Sequence, residues 1–131
     1  MHTNLHQIQI VPESWRSPVL AELAVNEQVL ACLPLDLDAE RLFCHGILVL
    51  TPLRLLAKTD SHSAWSVWPL DPSMRLIRRD YAGVGTLDLY QAAHRRVSWH
   101  YTLTHHASAR TLVELFESVL LGNLQEGVQE Q

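Results

Sequence analysis

The stretch HGILVLTPLRLLAK, from His45 to Lys58, constrains the fold more than any other part of the chain. Its aliphatic residues fall into two short blocks, Ile47 to Leu50 and Leu53 to Ala57, divided by a Thr-Pro pair and flanked by basic side chains. A membrane-spanning helix needs about 20 consecutive apolar residues, so the stretch is too short to be one. Proline fixes φ and removes an amide donor, which ends one strand at Thr51-Pro52 and starts a tight turn. The stretch therefore reads as a β-hairpin. Either Ile47, Val49 and Leu55 or their alternates Leu48, Leu50 and Leu56 face the core, and Arg54 emerges on the outer face of the second strand.

The same period of two runs through most of the chain. EQVLACLPLDLD puts Val29, Ala31, Leu33, Leu35 and Leu37 on one face, and Pro34 predicts a bulge or an edge there. In LFCHGILVL, Gly46 predicts a bulge or bend. AWSVWPL sets Trp65 and Val67 against Ser66 and Trp68, and MRLIRRDY sets Met74, Leu76 and Arg78 against Arg75, Ile77 and Arg79. AGVG supplies two glycines for a turn of unusual φ. TLDLY and RVSWHYTL, joined by the loop QAAHR, turn Leu87, Leu89, Val97, Trp99, Tyr101 and Leu103 inward.

Two segments change to a helical period. SPVLAELAVNE predicts a short helix with Ser17 as N-cap, Pro18 at the first helical position and Asn26 as its stop. HHASARTLVELFESVLLGN carries Ala109, Leu112, Phe116, Val119 and Leu120 as one stripe, with Gly122 suited to the C′ position. The expected fold is mainly β with one C-terminal α-helix: a seven-stranded antiparallel barrel or sandwich, plugged by that helix and preceded by a short N-terminal helix. Residues 1–16 read as an N-terminal arm, 17–122 as a single domain and 123–131 as a tail or linker.

A chain of 131 residues, 47% hydrophobic and 18% charged, buries a core without disulfides or a structural metal. Its net charge of −4, with nine Arg and a single Lys, argues against nucleic acid as a partner. The first residues lack a basic segment followed by an apolar one, and no apolar run is long enough to span a bilayer, so a cytoplasmic protein is expected. Cys32 and Cys44 lie in apolar runs without CxxC spacing and read as small buried hydrophobes.

No catalytic motif assembles. His105 and His106 are adjacent, so on a helix they point about 100° apart, and there is no HExxH. They read as surface or capping residues. Asp36, Asp38 and Glu40 read as solvated charges that limit edge pairing. Ser14, Ser61, Ser63 and Ser73 sit in no GxSxG or SxxK context, and Gly83-Val84-Gly85 is a turn without the helix N-terminus of a phosphate cradle. No cofactor and no metal are expected. Arg75, Arg78, Arg79, Arg95 and Arg96 are candidates to contact an anion or a partner through bidentate hydrogen bonds, against the alternative that they pair with Asp71, Asp80 and Asp88. Trp68 falls opposite Trp65, so one of the two lies outside or at a seam, as an interface tryptophan would, unless a local bulge returns it to the core.

GILVLTPLRLLAK resembles the G-x-aliphatic-x-aliphatic-T-x-x-R-aliphatic pattern of the second and third strands of bacterial PH-like domains. The likeness is close from Gly46 to Lys58 and looser, in element order, from Glu27 to Leu121. LPLDLDAERLFCHGILVLTPLRLLA, WPL, DYAGVGTLDL and VSWHYTL are further similar to the cytosolic N-terminal segment that precedes the membrane helices in some bacterial ABC half-transporters of the exporter type. The resemblances imply a non-enzymatic interaction or regulatory accessory domain whose partner is a protein, the remainder of a membrane transporter, or a second copy of the chain. They carry over no catalytic residue. Many PH domains hold lipid head groups through basic residues in an early strand loop, but the matching DLDAERL is acidic, which predicts no specific phosphoinositide binding. The rival expectation is a small-molecule-binding barrel or small enzyme with a hollow interior; Trp65, Trp99 and Phe116 in the core argue against it.

Overall fold

The computed structural model describes residues 10–60 and 62–129. Residues 1–9 of the expected arm, Ser61, and residues 130 and 131 of the expected tail lie outside the described residues. Helix α1 (Glu13–Glu22) precedes strands β1 (Ala31–Leu37), β2 (Phe43–Leu50), β3 (Arg54–Lys58), β4 (Ser66–Pro69), β5 (Met74–Tyr81), β6 (Val84–Gln91) and β7 (His94–Thr102). A 3-10 turn over Leu103–His105 then leads into helix α2 (His106–Gln129).

The seven strands form one antiparallel sheet in the order β4-β3-β2-β1-β7-β6-β5. Seven strands and a C-terminal helix match the expectation, but the sheet does not close into a barrel: β4 and β5 are left as its edges. The reason lies in those strands. Four-residue β4 ends in Pro69, which cannot extend a ladder, and β5 carries Arg78, Arg79 and Asp80 just before its end at Tyr81. β1 meets β7 at a single pair, Leu37 with His100, so a four-stranded half and a three-stranded half hinge at one point. Pro34 lies opposite Ile47 of β2, in the stretch of β1 that has no β7 partner, and so forfeits no ladder bond on that side. The expected bulge falls beside Gly46, where the register shifts between Leu35 and Leu37.

The inner faces of both halves share one core with α2: Leu33, Leu35, Leu48, Leu50 and Leu55 from the first, Leu87, Leu89, Trp99 and Tyr101 from the second, and Ala109, Leu112 and Phe116 from the helix. Leu103, expected to follow Tyr101 inward, is 41% exposed because the chain leaves β7 at Thr102 and turns into the 3-10 segment. Gly122 does not stop α2, which runs on to Gln129. Its φ is not positive, the helix-forming residues Leu124, Gln125 and Glu126 follow, and glycine within a helix costs only about 1 kcal/mol relative to alanine.

A second apolar layer covers the outer face of the four-stranded half. α1 begins four residues before Ser17, so Pro18 stands inside it and not at its start. Val11, Trp15 and Val19, spaced at i, i+4 and i+8, are buried against Val29, Ile47, Val49 and Leu56, and this burial outweighs the amide bond that Pro18 withholds. Residues 11–16 thus pack into the domain although they read as an arm. All six hairpin residues are buried, but Leu55 and Leu56 stand on the opposite faces from those expected: Leu55 pairs with Leu50 and lies inside with Leu48, and Leu56 pairs with Val49 and lies under α1 with Ile47. Trp15 stacks on His45 at 5.3 Å and meets Trp65 edge-on at 6.2 Å.

Glu27 ties this layer to the β2–β3 turn. Its Oε2 accepts from Arg54 Nε at 2.8 Å and Thr51 Oγ1 at 2.7 Å, and its Oε1 accepts from Arg54 Nη2 at 2.8 Å and Ala24 N at 2.9 Å. Arg54 is on the outer face as expected, but engaged there. Its guanidinium pulls the Glu27 carboxyl down from 4.5 to about 2 against the opposing effect of burial.

The β5–β6 and β6–β7 connections are two-residue turns with positive φ at Ala82, Gly83, Ala92 and Ala93, as hairpin turns of matching twist require. Gly85 is needed for space instead. The Tyr101 ring of the facing strand lies 2.1 Å from where its Cβ would be.

Candidate functional site

The outer face of β5–β7 has no counterpart of α1 among the described residues. Directly opposed residues share a face, which places three rows on this one: Arg75, Tyr90 and Arg95; Ile77, Asp88 and Ser98; and Arg79, Thr86 and His100. The third row continues through Leu37 of β1 to Phe43 of β2. Of the five arginines singled out in the sequence, Arg75, Arg79 and Arg95 therefore meet here.

The other two do not. Arg78 turns to the rim beside α2, where its Nη1 lies 3.3 Å from Asp80 Oδ2 and 3.4 Å from His106 Nδ1. Arg96 occupies the irregularity where the β6–β7 register shifts, and its guanidinium sits 5.5 Å over the Trp68 ring. Trp68 packs against the inner core and is half-buried, while Trp65, just before β4, packs with the α1 layer, so the two tryptophans line seams on opposite sides of the sheet. Two of the three expected carboxylate pairings form, Arg78 with Asp80 and Arg79 with Asp88. Asp71 instead accepts from Ser73 and Gln91.

Asp88 is the unusual member. It sits mid-strand on the outer face, 1% exposed, with Oδ2 accepting from Arg79 Nε at 2.8 Å and Oδ1 from Ser98 Oγ at 2.5 Å. Burial pushes its carboxyl up, and the hydrogen bonds from Arg79 and Ser98 overcome that and hold it below the ordinary value. Such a carboxylate fixes the orientation of a guanidinium whose side chain remains 56% exposed. His100, beside Thr86 Oγ1 at 3.3 Å, is held below its ordinary value by burial and by the nearby Arg41 charge.

The β1–β2 turn completes the site. Asp38 does more than stand as a solvated charge: its Oδ1 accepts from Glu40 N and Leu42 N, both at 2.9 Å. Asp36 is likewise engaged, accepting from Thr102 N at 2.8 Å and Thr102 Oγ1 at 2.6 Å, with His105 Nε2 at 3.5 Å. It bridges β1 to the start of the helical segment where the two strands have parted. The turn carries Arg41 at φ 63° and brings it to Arg79 across a cleft of about 130 Å³, lined also by Tyr81, Val84 and Thr86. Leu42, Phe43 and Tyr81 around it are 63%, 84% and 84% exposed.

Sequence reasoning found Arg79 but missed Arg41, Phe43, Tyr81 and Asp88 as parts of one surface. The signal that existed was local: an aspartate inside an alternating apolar strand, TLDLY. Among the described residues, no group of three or more His, Cys, Asp or Glu side chains is placed to hold a metal ion, and no helix is long and apolar enough to cross a membrane. Cys32 and Cys44 are free thiols, and burial pushes Cys32 up to about 11, which keeps it in its unreactive form. Comparison with family models, curated proteins and solved structures finds no match.

Proposed function

We propose that this chain is a non-enzymatic docking domain that presents the outer face of β5–β7 and the adjoining β1–β2 turn to a protein partner. The observation that carries the reading is the exposure of Leu42 and Phe43, with Arg41, at the β1–β2 turn beside Tyr81 and Arg79 of β5, next to an outer face of β5–β7 that no helix covers among the described residues. Aromatic and arginine side chains are the residues on which binding energy concentrates at protein interfaces. Arg75, Arg79 and Arg95 share the face with one carboxylate, the buried Asp88, in a molecule whose net charge is −4. The complementary partner surface is acidic with apolar groups between its charges.

The rival reading as a hollow binder or enzyme finds less support, because Leu50, Leu87, Tyr101, Leu112 and Phe116 fill the space between the half-sheets with no exposure. The resemblance to exporter accessory segments and PH-like domains names the partner class we propose, the remainder of a membrane transporter polypeptide, with the domain acting on its cytoplasmic side. Photo-crosslinking from a reactive residue at position 43, with position 20 on α1 as control, tests the reading. A discrete protein adduct at 43 alone is expected. Equal labelling at both positions, or turnover of a small molecule by the purified chain, would overturn it.

A further inference from the structure

The cleft between the β1–β2 turn and the end of β5 is built to hold one negative charge. Its volume of about 130 Å³ is near that of a cavity that takes one small ring, about 150 Å³, which suits the end of a side chain. Arg79 spends its Nε on Asp88, which is itself fixed by Ser98, and the side chain remains 56% exposed, which leaves its terminal nitrogens accessible to a second partner. An arginine oriented in this way needs little reorganisation to grip a carboxylate through two parallel hydrogen bonds.

Arg41 approaches from the other side on a backbone of positive φ, a conformation in which glycine or asparagine is more comfortable. That turn is already secured by Asp38, through its backbone carbonyl to Arg41 N at 2.9 Å and its side chain to the next amides, so the arginine side chain is not needed to build it. The buried Thr86 and the exposed Tyr81 complete the lining of the cleft with Val84.

We infer that Arg41 and Arg79 form a socket for one Asp or Glu side chain of the docking partner, with Leu42, Phe43 and Tyr81 taking the apolar residues on either side of it. The inference rests on the docking reading and specifies its chemistry. A carboxylate fits better than a phosphate for two reasons. One of the two arginines already shares its charge with Asp88, which suits a monoanion, and the cleft has no helix N-terminus to supply the converging amides that phosphate sites use.

The test is a titration of the full chain, followed by NMR, with the capped peptide Leu-Glu-Phe, its Leu-Gln-Phe counterpart and inorganic phosphate. The glutamate peptide should shift the Arg79 Nε–H and the Thr86 amide in a saturable way at millimolar concentration. The glutamine peptide should bind at least tenfold more weakly. Arg41→Gln, on an exposed turn, should weaken the glutamate peptide by a similar factor, and Arg79→Lys should do so without loss of fold, because the charge stays and the planar fork goes. The inference is overturned if the two peptides behave alike, if the shifts fall elsewhere, or if phosphate saturates the same resonances tenfold more tightly than the peptide. Crosslinks at position 43 combined with silent peptides would sink the socket and leave the docking face standing.

Discussion

From Gly46 to Leu50, β2 is buried on both faces, whereas β5 is buried only at Met74 and Leu76 and ends in the exposed Arg79, Asp80 and Tyr81. The two strands belong to one sheet, and the difference lies in what covers them. Val11, with Trp15 and Val19 of α1, lies over the four-stranded half, and among the described residues no such element covers β5–β7. An apolar run such as GILVL therefore marks a strand between two layers, and an alternating one such as RLIRRDY marks a strand with one wet face. The wet face is where charge, aromatic exposure and a buried orienting carboxylate coincide.

The largest effects should come from opening the covered side or the shared core. Phe116→Ala removes the helix residue that closes the inner core, and Trp15→Ala removes the anchor of the outer layer. Each should cost about 3–5 kcal/mol in urea denaturation, which is a large share of the roughly 5–15 kcal/mol a domain of this size has to lose. A cost below about 1 kcal/mol for Trp15→Ala would mean that α1 does not cover the sheet in solution, and the contrast between the halves would fail.

The Glu27–Arg54 pair sharpens the comparison by pH. Glu27 titrates at about 2 when folded against an ordinary value of 4.5. Its contribution is present in full above pH 4.5 and is lost as pH falls toward 2. The difference corresponds to about 3 kcal/mol. The urea midpoint of the wild-type chain should fall across that window. Glu27→Gln should begin lower at neutral pH and lose this part of the acid dependence. An unchanged acid limb in the variant would remove the pair from the account.

Gly85→Ala tests the bare half from its inner side. The added methyl would meet the Tyr101 ring, a side chain packed without exposure in the core, and overpacking of this kind costs about 1–3 kcal/mol. A neutral result would show that the three-stranded half is looser than its packing implies.

What was legible in the sequence was local. The period of two located the strands, Thr51-Pro52 the hairpin turn, and the stripe from Ala109 to Phe116 the helix face, because each signal lies within a few residues. What escaped depends on partners far along the chain. Glu27 meets Arg54 across 27 positions and Asp36 meets Thr102 across 66, so a lone acidic residue in the sequence carries no mark of either bond. Arg41 and Arg79 come together only because β1 and β7 touch at Leu37 and His100, a pairing that no local pattern specifies. The start of α1 departs from the local pattern for the opposite reason. Ser17-Pro18 is a good local start signal, and tertiary burial of Val11 and Trp15 overrode it.

The smallest effect on stability should come from the residue that matters most for docking. Phe43 is 84% exposed, so Phe43→Ala removes little burial and should change stability by no more than about 0.5 kcal/mol, a shift of about 2 °C in Tm. Trp15 and Phe43 are both aromatic and both lie on the outer side of the sheet, yet one is a helix residue packed down onto it and the other is exposed to solvent. Truncation of Trp15 should unfold the chain at lower denaturant, and truncation of Phe43 should leave the unfolding curve in place while abolishing capture of the partner from neighbouring positions such as 42. If Phe43→Ala destabilised the isolated chain as strongly as Trp15→Ala, the β1–β2 turn and the start of β2 would be a covered surface in solution, and the site would have to be sought elsewhere on the molecule.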